Sequence, residues 1–432
     1  MARRTILSVS FDATIDRVHG GYSSAAERLT VAQDVEGSIP SSRPKCTRTQ
    51  VFTDQVFRGA EVPNLPCNRV SVIQDSPQQD SPQSVAVENA TPTLPPWGSE
   101  FVPHRWLRNS HLQTIVGNFI PRPAFREAST AETVEVDPSD GSRVLCHCNW
   151  QPSGIRANCL SVVLVHGLEG SSDSRYMKGL AARAWTAGCN VVRMNMRNCG
   201  GTETLTPTLY NSALSGDVGA VVSHFAEAHS LCKVALVGYS MGGNLVLKLA
   251  GEWGNRPPLC AVAAVCPAID LAAGSNALHE PSNRIYERRF LIGLMARFHR
   301  KAALYPEIYD PSAIGPIRSL REFDDKIVAR YCNFRDADDY YYRAASARVV
   351  DRIAVPTLIL RALDDPFIRL LPETRAALLA NPAVTLIETP HGGHCAYLSS
   401  SPGDDIHWAE AMVMRYLLHQ AGTNQIGTNL GS

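Results

Sequence analysis

Residues 237–243 read VGYSMGG. Gly238 and Gly242 stand two residues to either side of Ser240, the G-x-S-x-G spacing of a serine on a sharp strand-to-helix turn. The strand-like run KVALVGY (233–239) leads into it, and the helix-like MGGNLVLKLA (241–250) leads out. Glycines at 238 and 242 leave room where side chains would crowd the elbow. The helix N-terminus beneath Ser240 supplies a positive dipole end. The pattern is short and chance supplies it often, so its meaning rests on the sequence around it.

Six short apolar runs flank or include this turn: SVVLVHG (161–167), NVVRMNM (190–196), KVALVGYS (233–240), LCAVAAVCPAID (259–270), PTLILRALDD (356–365) and VTLIETPHG (384–392). Several are nearly continuous in Val, Ile and Leu, the texture of parallel strands covered on both faces. Helical patterns separate most of them, at 174–188, 211–229, 241–254, 371–381 and 404–420. The first ends at Gly188, a good helix stop. Upstream, TVEVDPSDGSRVLCHCNWQ (133–151) alternates around a Ser-Asp-Gly turn and reads as a hairpin. Alternating strands and helices predict an α/β doubly wound fold, a mostly parallel sheet with helices on both faces.

Residues 271–345 break the rhythm. They are too long for a connecting loop, and NRIYERRFLIGLMARFHRKA (283–302) carries apolar positions at helical spacing. We read an inserted helical lid. It holds 11 of the 31 aromatic residues in 75 of 432 positions, which fits either an apolar wall over a cleft or helices packing on one another.

Residues 1–95 lack sustained periodicity, repeat DSPQ at 75–78 and 80–83, and end near ATPTLPPW (90–97). They read as a low-order extension, with a regulatory or docking tail as the alternative. The main folded domain is expected over 96–420, followed by a flexible tail at 421–432. Lys+Arg and Asp+Glu both count 41, so the basic excess that non-specific nucleic-acid binding needs is missing. No apolar run approaches the ~20 residues of a membrane helix, so no integral membrane segment is expected and the cytoplasm is the expected compartment. The 12 cysteines are scattered without a C-x-x-C pair. Several, such as Cys189, Cys260 and Cys266, lie in apolar runs and read as buried free thiols.

A serine hydroxyl becomes a nucleophile only with a base in reach, a carboxylate to orient the base, and N–H donors for the oxyanion. His391 and His394 both follow the last strand-like run. We favour His394, because the Gly-Gly turn ahead of it suits a loop reaching back to the elbow. Asp365, ending the run at 356–365, is the favoured acid; Asp364 reads as a loop cap, and Asp270 is a third candidate. The turn HGLEG (166–170) can present the Leu168 N–H, and Met241 N–H, directly after the serine, is the second donor. His166 precedes the serine and reads as a residue that structures this turn. Each element ends a strand-like run, the edge where open α/β sheets bind ligands.

These residues resemble the α/β-hydrolase superfamily. Further stretches resemble its YheT-like branch: NSHLQTIVGNF (109–119), HGLEGSSDSRYMKGLA (166–181), VVRMNMRNCGG (191–201), NRIYERRFL (283–291), REFDD (321–325), DDYYYRAAS (338–346), VPTLILRALDDPFI (355–368) and GGH (392–394). The resemblance spans about residues 97–420. It implies a triad of Ser240, Asp365 and His394 and carboxylesterase-type hydrolysis of a small-molecule or lipid ester, without cofactor or metal. Acyl transfer on the same triad, or ligand binding on the same fold without turnover, are the alternatives. Two departures stand out. The N-terminal membrane anchor of many eukaryotic relatives is not visible, and no histidine has aspartate five positions on, the H-x-x-x-x-D pattern linked to acyl transfer. The HLQT segment (111–114) has no evident chemistry; packing near the cleft is its expected role.

Overall fold

The structure is a computed structural model that describes residues 95–400 and 405–422. The expected N-terminal extension and C-terminal tail, apart from Pro95, Ala421 and Gly422, lie outside the described residues. In chain order, helix α1 (Ser110–Val116) is followed by strands β1 (Thr130–Asp137) and β2 (Ser142–Asn149), the single turn α2 (Ser153–Arg156), and β3 (Ser161–Val165). Next come α3 (Arg175–Thr186), β4 (Asn190–Met194), α4 (Ser215–His229), β5 (Val234–Tyr239), α5 (Met241–Trp253) and β6 (Leu259–Val265). Four helices then intervene: α6 (Leu271–Leu278), α7 (Arg284–Leu304), the short α8 (Leu320–Phe323) and α9 (Ala337–Ala344). The chain closes with β7 (Thr357–Ala362), α10 (Pro372–Ala380), β8 (Val384–Thr389) and α11 (Trp408–Gln420).

The eight strands form one sheet in the order β1-β2-β4-β3-β5-β6-β7-β8. β2 runs antiparallel to both β1 and β4, and every other pair is parallel. All six apolar runs become strands, and the 133–151 segment is the β1–β2 hairpin. Strands β3, β4 and β5 are buried along their whole length, which is why their sequences do not alternate. Their side chains still divide between two cores. Val163, Val165 and Leu236 join α4 and α5 through Val218, Val222, Leu245 and Leu249. Val162, Leu164, Ala235 and Val237 join α3 and α11 through Met177, Leu180, Trp408 and Met412.

The insertion between β6 and β7 is helical, as its sequence predicts. Its aromatics divide between the two roles foreseen for them. Phe298, Tyr309 and Tyr331 pack ring on ring, with centroids 4.8–5.9 Å apart. Phe290, Phe323, Tyr340 and Tyr341 line a cleft instead. Among the described residues no helix is long and apolar enough to cross a membrane.

The loop after β4 is pinned by a buried ion pair. Arg197 donates from Nε to one Asp217 oxygen and from Nη2 to the other, each at 2.7 Å, and from Nη1 to Thr208 Oγ1 at 2.6 Å. Both charged groups are buried. Removing one partner leaves the other desolvated without its counter-charge, so Asp217→Ala should cost about 3–5 kcal/mol in urea unfolding. A loss below about 1 kcal/mol would show instead that Asp137 and Asp140, 3.9 and 3.8 Å from the guanidinium, carry the compensation.

Candidate active site

Ser240 occupies the single position between the end of β5 and the start of α5, at φ 53° and ψ −115°. A non-glycine residue rarely adopts this conformation. Its N–H donates to the Val265 carbonyl at 2.9 Å, and its carbonyl accepts from Asn244 N–H at 3.1 Å and Ala268 N–H at 3.2 Å. The chain can turn this sharply because two side chains are missing. A Cβ on Gly238 would sit 2.2 Å from the Gly242 carbonyl oxygen, and one on Gly242 would sit 2.4 Å from the Val165 and His166 oxygens.

Across the sheet edge, His394 Nδ1 and Asp365 Oδ2 are 2.8 Å apart. The carboxylate is buried, and its Oδ1 accepts the N–H groups of Phe367 (3.1 Å) and Ile368 (3.0 Å). With one oxygen fixed by backbone amides, the other is aimed at the imidazole. With Nδ1 donating to the carboxylate, Nε2 carries the lone pair and faces the Cys395 thiol at 3.7 Å. Burial opposes the charged imidazolium, but the field and hydrogen bond of Asp365 outweigh it and hold the His394 pKa above its ordinary value. The Phe367 ring lies 4.2 Å from the imidazole, centroid to centroid.

The other candidates have separate partners. His391 Nδ1 lies 3.3 Å from Asp364 Oδ2, and Asp364 Oδ1 accepts Gly393 N–H at 2.9 Å, bracing the loop before His394. Asp270 accepts from Leu371 N–H and Thr374 Oγ1, both at 2.8 Å, at the start of α10. His166 is buried with both nitrogens engaged. Met196 N–H donates to Nε2 at 3.1 Å, so Nδ1 carries the proton and donates to the Gly167 carbonyl at 2.8 Å. Burial drives its pKa down to about 4, so it stays neutral and rigid.

Leu168 lies in a turn closed by Gly170 N–H donating to the Gly167 carbonyl at 3.0 Å. Met241 opens α5, so its N–H is one of the first-turn donors that find no acceptor within the helix. Leu168, Ser240 and Met241 share the wall of one cleft, whose remaining lining is mostly apolar. Ser240 and the His394 loop meet at Cys395: its thiol lies against the Ser240 backbone and 3.7 Å from His394 Nε2.

A family model described as the alpha/beta hydrolase family matches residues 162–407. The chain belongs to the alpha/beta hydrolase family. It is 32% identical to "Putative esterase YheT" of Escherichia coli (strain K12), over 74% of this chain and 93% of that one. It is 27% identical to the embryogenesis-associated protein EMB8 of Picea glauca, over 72% of this chain and 70% of that one. Phospholipase ABHD3 of Mus musculus is 30% identical, over 55% of this chain and 58% of its own length.

Two parts of this hydrolase's site went unread in its sequence. The HLQT segment forms most of α1. Its Thr114 hydroxyl donates to the Ser110 carbonyl at 2.7 Å and accepts His394 N–H at 2.8 Å, so α1 fixes the backbone of the histidine loop. The second is Glu169, beside Leu168. Its carboxylate accepts from Tyr210 Oη at 3.0 Å and from Arg297 Nε at 3.2 Å, tying the Leu168 turn to α7. Sequence spacing gives no signal for either, because the partners are 280 and 128 residues apart.

Asp324, on the cleft wall, is a buried carboxyl. Burial pushes its pKa up to about 7, against the Tyr341 hydroxyl donating to Oδ2 at 2.7 Å and the field of Arg321. The folded protein therefore keeps a proton that the unfolded chain sheds near 3.8. Stability from this group is fullest below about pH 4 and is lost as pH rises toward about 7. Asp324→Asn keeps an acceptor for Tyr341 and removes the titration. Relative to wild type it should gain on the order of a few kcal/mol in urea unfolding between about pH 5 and about pH 8. An equal difference at both pH values would refute the assignment.

Proposed function

We propose that this chain hydrolyses carboxylic esters through an acyl-enzyme formed on Ser240. Ser240 Oγ attacks the ester carbonyl while His394 Nε2 takes its proton. Asp365 holds the imidazole with Nδ1 protonated and offsets its positive charge. The N–H groups of Leu168 and Met241 donate to the oxyanion of the tetrahedral intermediate. His394 returns the proton to the leaving alkoxide, and the acid portion stays on Ser240 as an ester. Water, deprotonated by His394, then attacks that ester and releases the acid.

The observation that carries this reading is the 2.8 Å contact between Asp365 and His394, with the far carboxylate oxygen tied to two amides. It makes Nε2 the lone-pair nitrogen of the imidazole, on the loop that meets the Ser240 elbow at Cys395. Family membership supports the reaction class, as do relatives named esterase and phospholipase. The apolar cleft beside Ser240 suits short- or medium-chain acyl groups or the acyl arm of a lipid. Helices α6–α9 act as the lid over it, since Phe290, Phe323, Tyr340 and Tyr341 come from them.

Fluorophosphonate labelling and turnover of p-nitrophenyl acyl esters test the proposal. Ser240→Ala should lose the label, with kcat falling by about 10⁴-fold or more. Absence of labelling in folded wild-type protein would overturn it. Neutral His394 is the base, so kcat/KM should rise with pH to a plateau through a midpoint above the ordinary 6.5 of histidine. In Asp365→Asn the midpoint should drop and the rate fall by about three to four orders of magnitude.

A further inference from the structure

Cys266 follows β6 directly, and Cys395 follows His394 in the loop after β8. The two sulfurs and an imidazole nitrogen of His394 all lie within 4.8 Å of one another. Among the described residues this is the one group of three His, Cys, Asp or Glu side chains that converge so closely. The two cysteines are 129 positions apart in sequence, so no spacing motif announces them.

The distances suit a small tetrahedral cation. With Zn–S near 2.3 Å and Zn–N near 2.0 Å, tetrahedral ligands stand about 3.5–3.8 Å apart. His394 Nε2 and Cys395 Sγ are 3.7 Å apart before any adjustment. Two thiols and an imidazole are the ligands that thiophilic divalent cations select. The surroundings already hold each ligand. Asp365 engages His394 Nδ1 and leaves Nε2 toward Cys395 Sγ, the carboxylate–histidine arrangement found behind metal-bound imidazoles. Cys395 N–H donates to Cys266 Sγ at 3.3 Å, and the Tyr397 hydroxyl lies 3.5 Å from the same sulfur. Both can donate to a thiolate there. The His394 side chain is 13% exposed and Cys395 is half-buried, so the group is not sealed from solvent.

The geometry points to Cys266, His394 and Cys395 as a site for a thiophilic divalent cation such as Zn²⁺, whose occupancy shuts off the active site. Binding releases two protons, one from each thiol, as two thiolates and a neutral imidazole take up one dication. The protein ligands and the cation then sum to zero net charge, which suits a buried position. The metal occupies the Nε2 lone pair that would otherwise accept the Ser240 proton. The inhibitory half rests on the proposed role of His394 as base; the binding half does not.

The test uses the full chain, reduced with a phosphine and stripped with EDTA. Co²⁺ added to wild type should give a thiolate-to-cobalt charge-transfer band, and Zn²⁺ should displace it. Ser240→Ala should give the same band. Zn²⁺ should inhibit p-nitrophenyl ester turnover reversibly, with EDTA restoring it. Because Cys395 touches Ser240 and His394, Cys395→Ser is measured against its own EDTA-stripped turnover. Its Zn²⁺ concentration for half-inhibition should rise at least about 10–100-fold, the loss that even outer-sphere changes cause. Cys266→Ser should behave alike, and Cys395→Ser decides the matter if the buried variant fails to fold. No thiolate–cobalt band in wild type, or unchanged inhibition in Cys395→Ser, would overturn the site. A band that Cys395→Ser abolishes, without any inhibition of wild type, would uphold the site and overturn His394 as the base.

Discussion

The close approach of three backbone segments around Ser240 is the constraint on which the rest of the site depends. The end of β3 and the start of α5 pass within contact distance at Gly242, and β5 meets the same turn at Gly238. Any Cβ at either position would fall within 2.4 Å of a carbonyl oxygen. This contact sets where α5 begins, and so where its unpaired first-turn N–H groups point. It also goes with a positive φ at Ser240 that non-glycine residues rarely adopt. The cost is carried by the buried strands β3, β5 and β6, whose parallel ladders hold the turn from both sides.

The histidine side of the site is built differently. It hangs on a loop, and loops need bracing to hold a side chain in one place. Three independent anchors supply it: Thr114 Oγ1 on His394 N–H, Asp364 on Gly393 N–H, and Asp365 on the ring. Asp365 itself is braced by two amides. The two adjacent aspartates thus divide the work, one fixing backbone and the other fixing the imidazole. His391 forms its own longer contact with Asp364, and its side chain is 39% exposed against 13% for His394.

What could be read in the sequence follows from what is local. A parallel strand buried on both faces is a run of apolar residues, so the runs of β3 to β7 could be seen; β8, a half-buried edge strand, was legible from its VTLI core alone. An open α/β sheet gathers the C-terminal ends of such strands at one edge, so the proposed Ser240, Asp365 and His394 could be chosen from the elbow motif, the end of a run and the Gly-Gly turn after the last run. The antiparallel pairing of β2 with β4 could not be read, because strand order is a property of the whole sheet. Thr114, Glu169 and the Cys266–Cys395 approach escaped for the same reason: each is a contact between distant segments. Cys266 read as an isolated buried thiol, and only the fold brings Cys395 N–H to its sulfur. The aromatics of 271–345 could be counted but not sorted, since a ring at helical spacing packs equally well inward on its neighbours or outward over a cleft.

The insertion is more than a cover laid over a finished site. Arg297 on α7 donates to the Glu169 carboxylate and to the Asn198 carbonyl, and Tyr210 donates to Glu169 from the hydrolase core. Glu169 sits at φ 58°, beside the Leu168 amide, in a turn only four residues long. A residue there in a costly backbone conformation is held by its side-chain partners as much as by the turn. A Cβ on Gly293 of α7 would meet Glu169 Oε2 at 2.0 Å, so α7 comes up against this carboxylate with no room to spare. The position of α7 and the conformation of the Leu168 turn are therefore coupled through Glu169. A shift of α7 would also strain the turn that carries Leu168. In the proposed mechanism this couples the wall of the cleft to the proposed oxyanion donor through a single carboxylate.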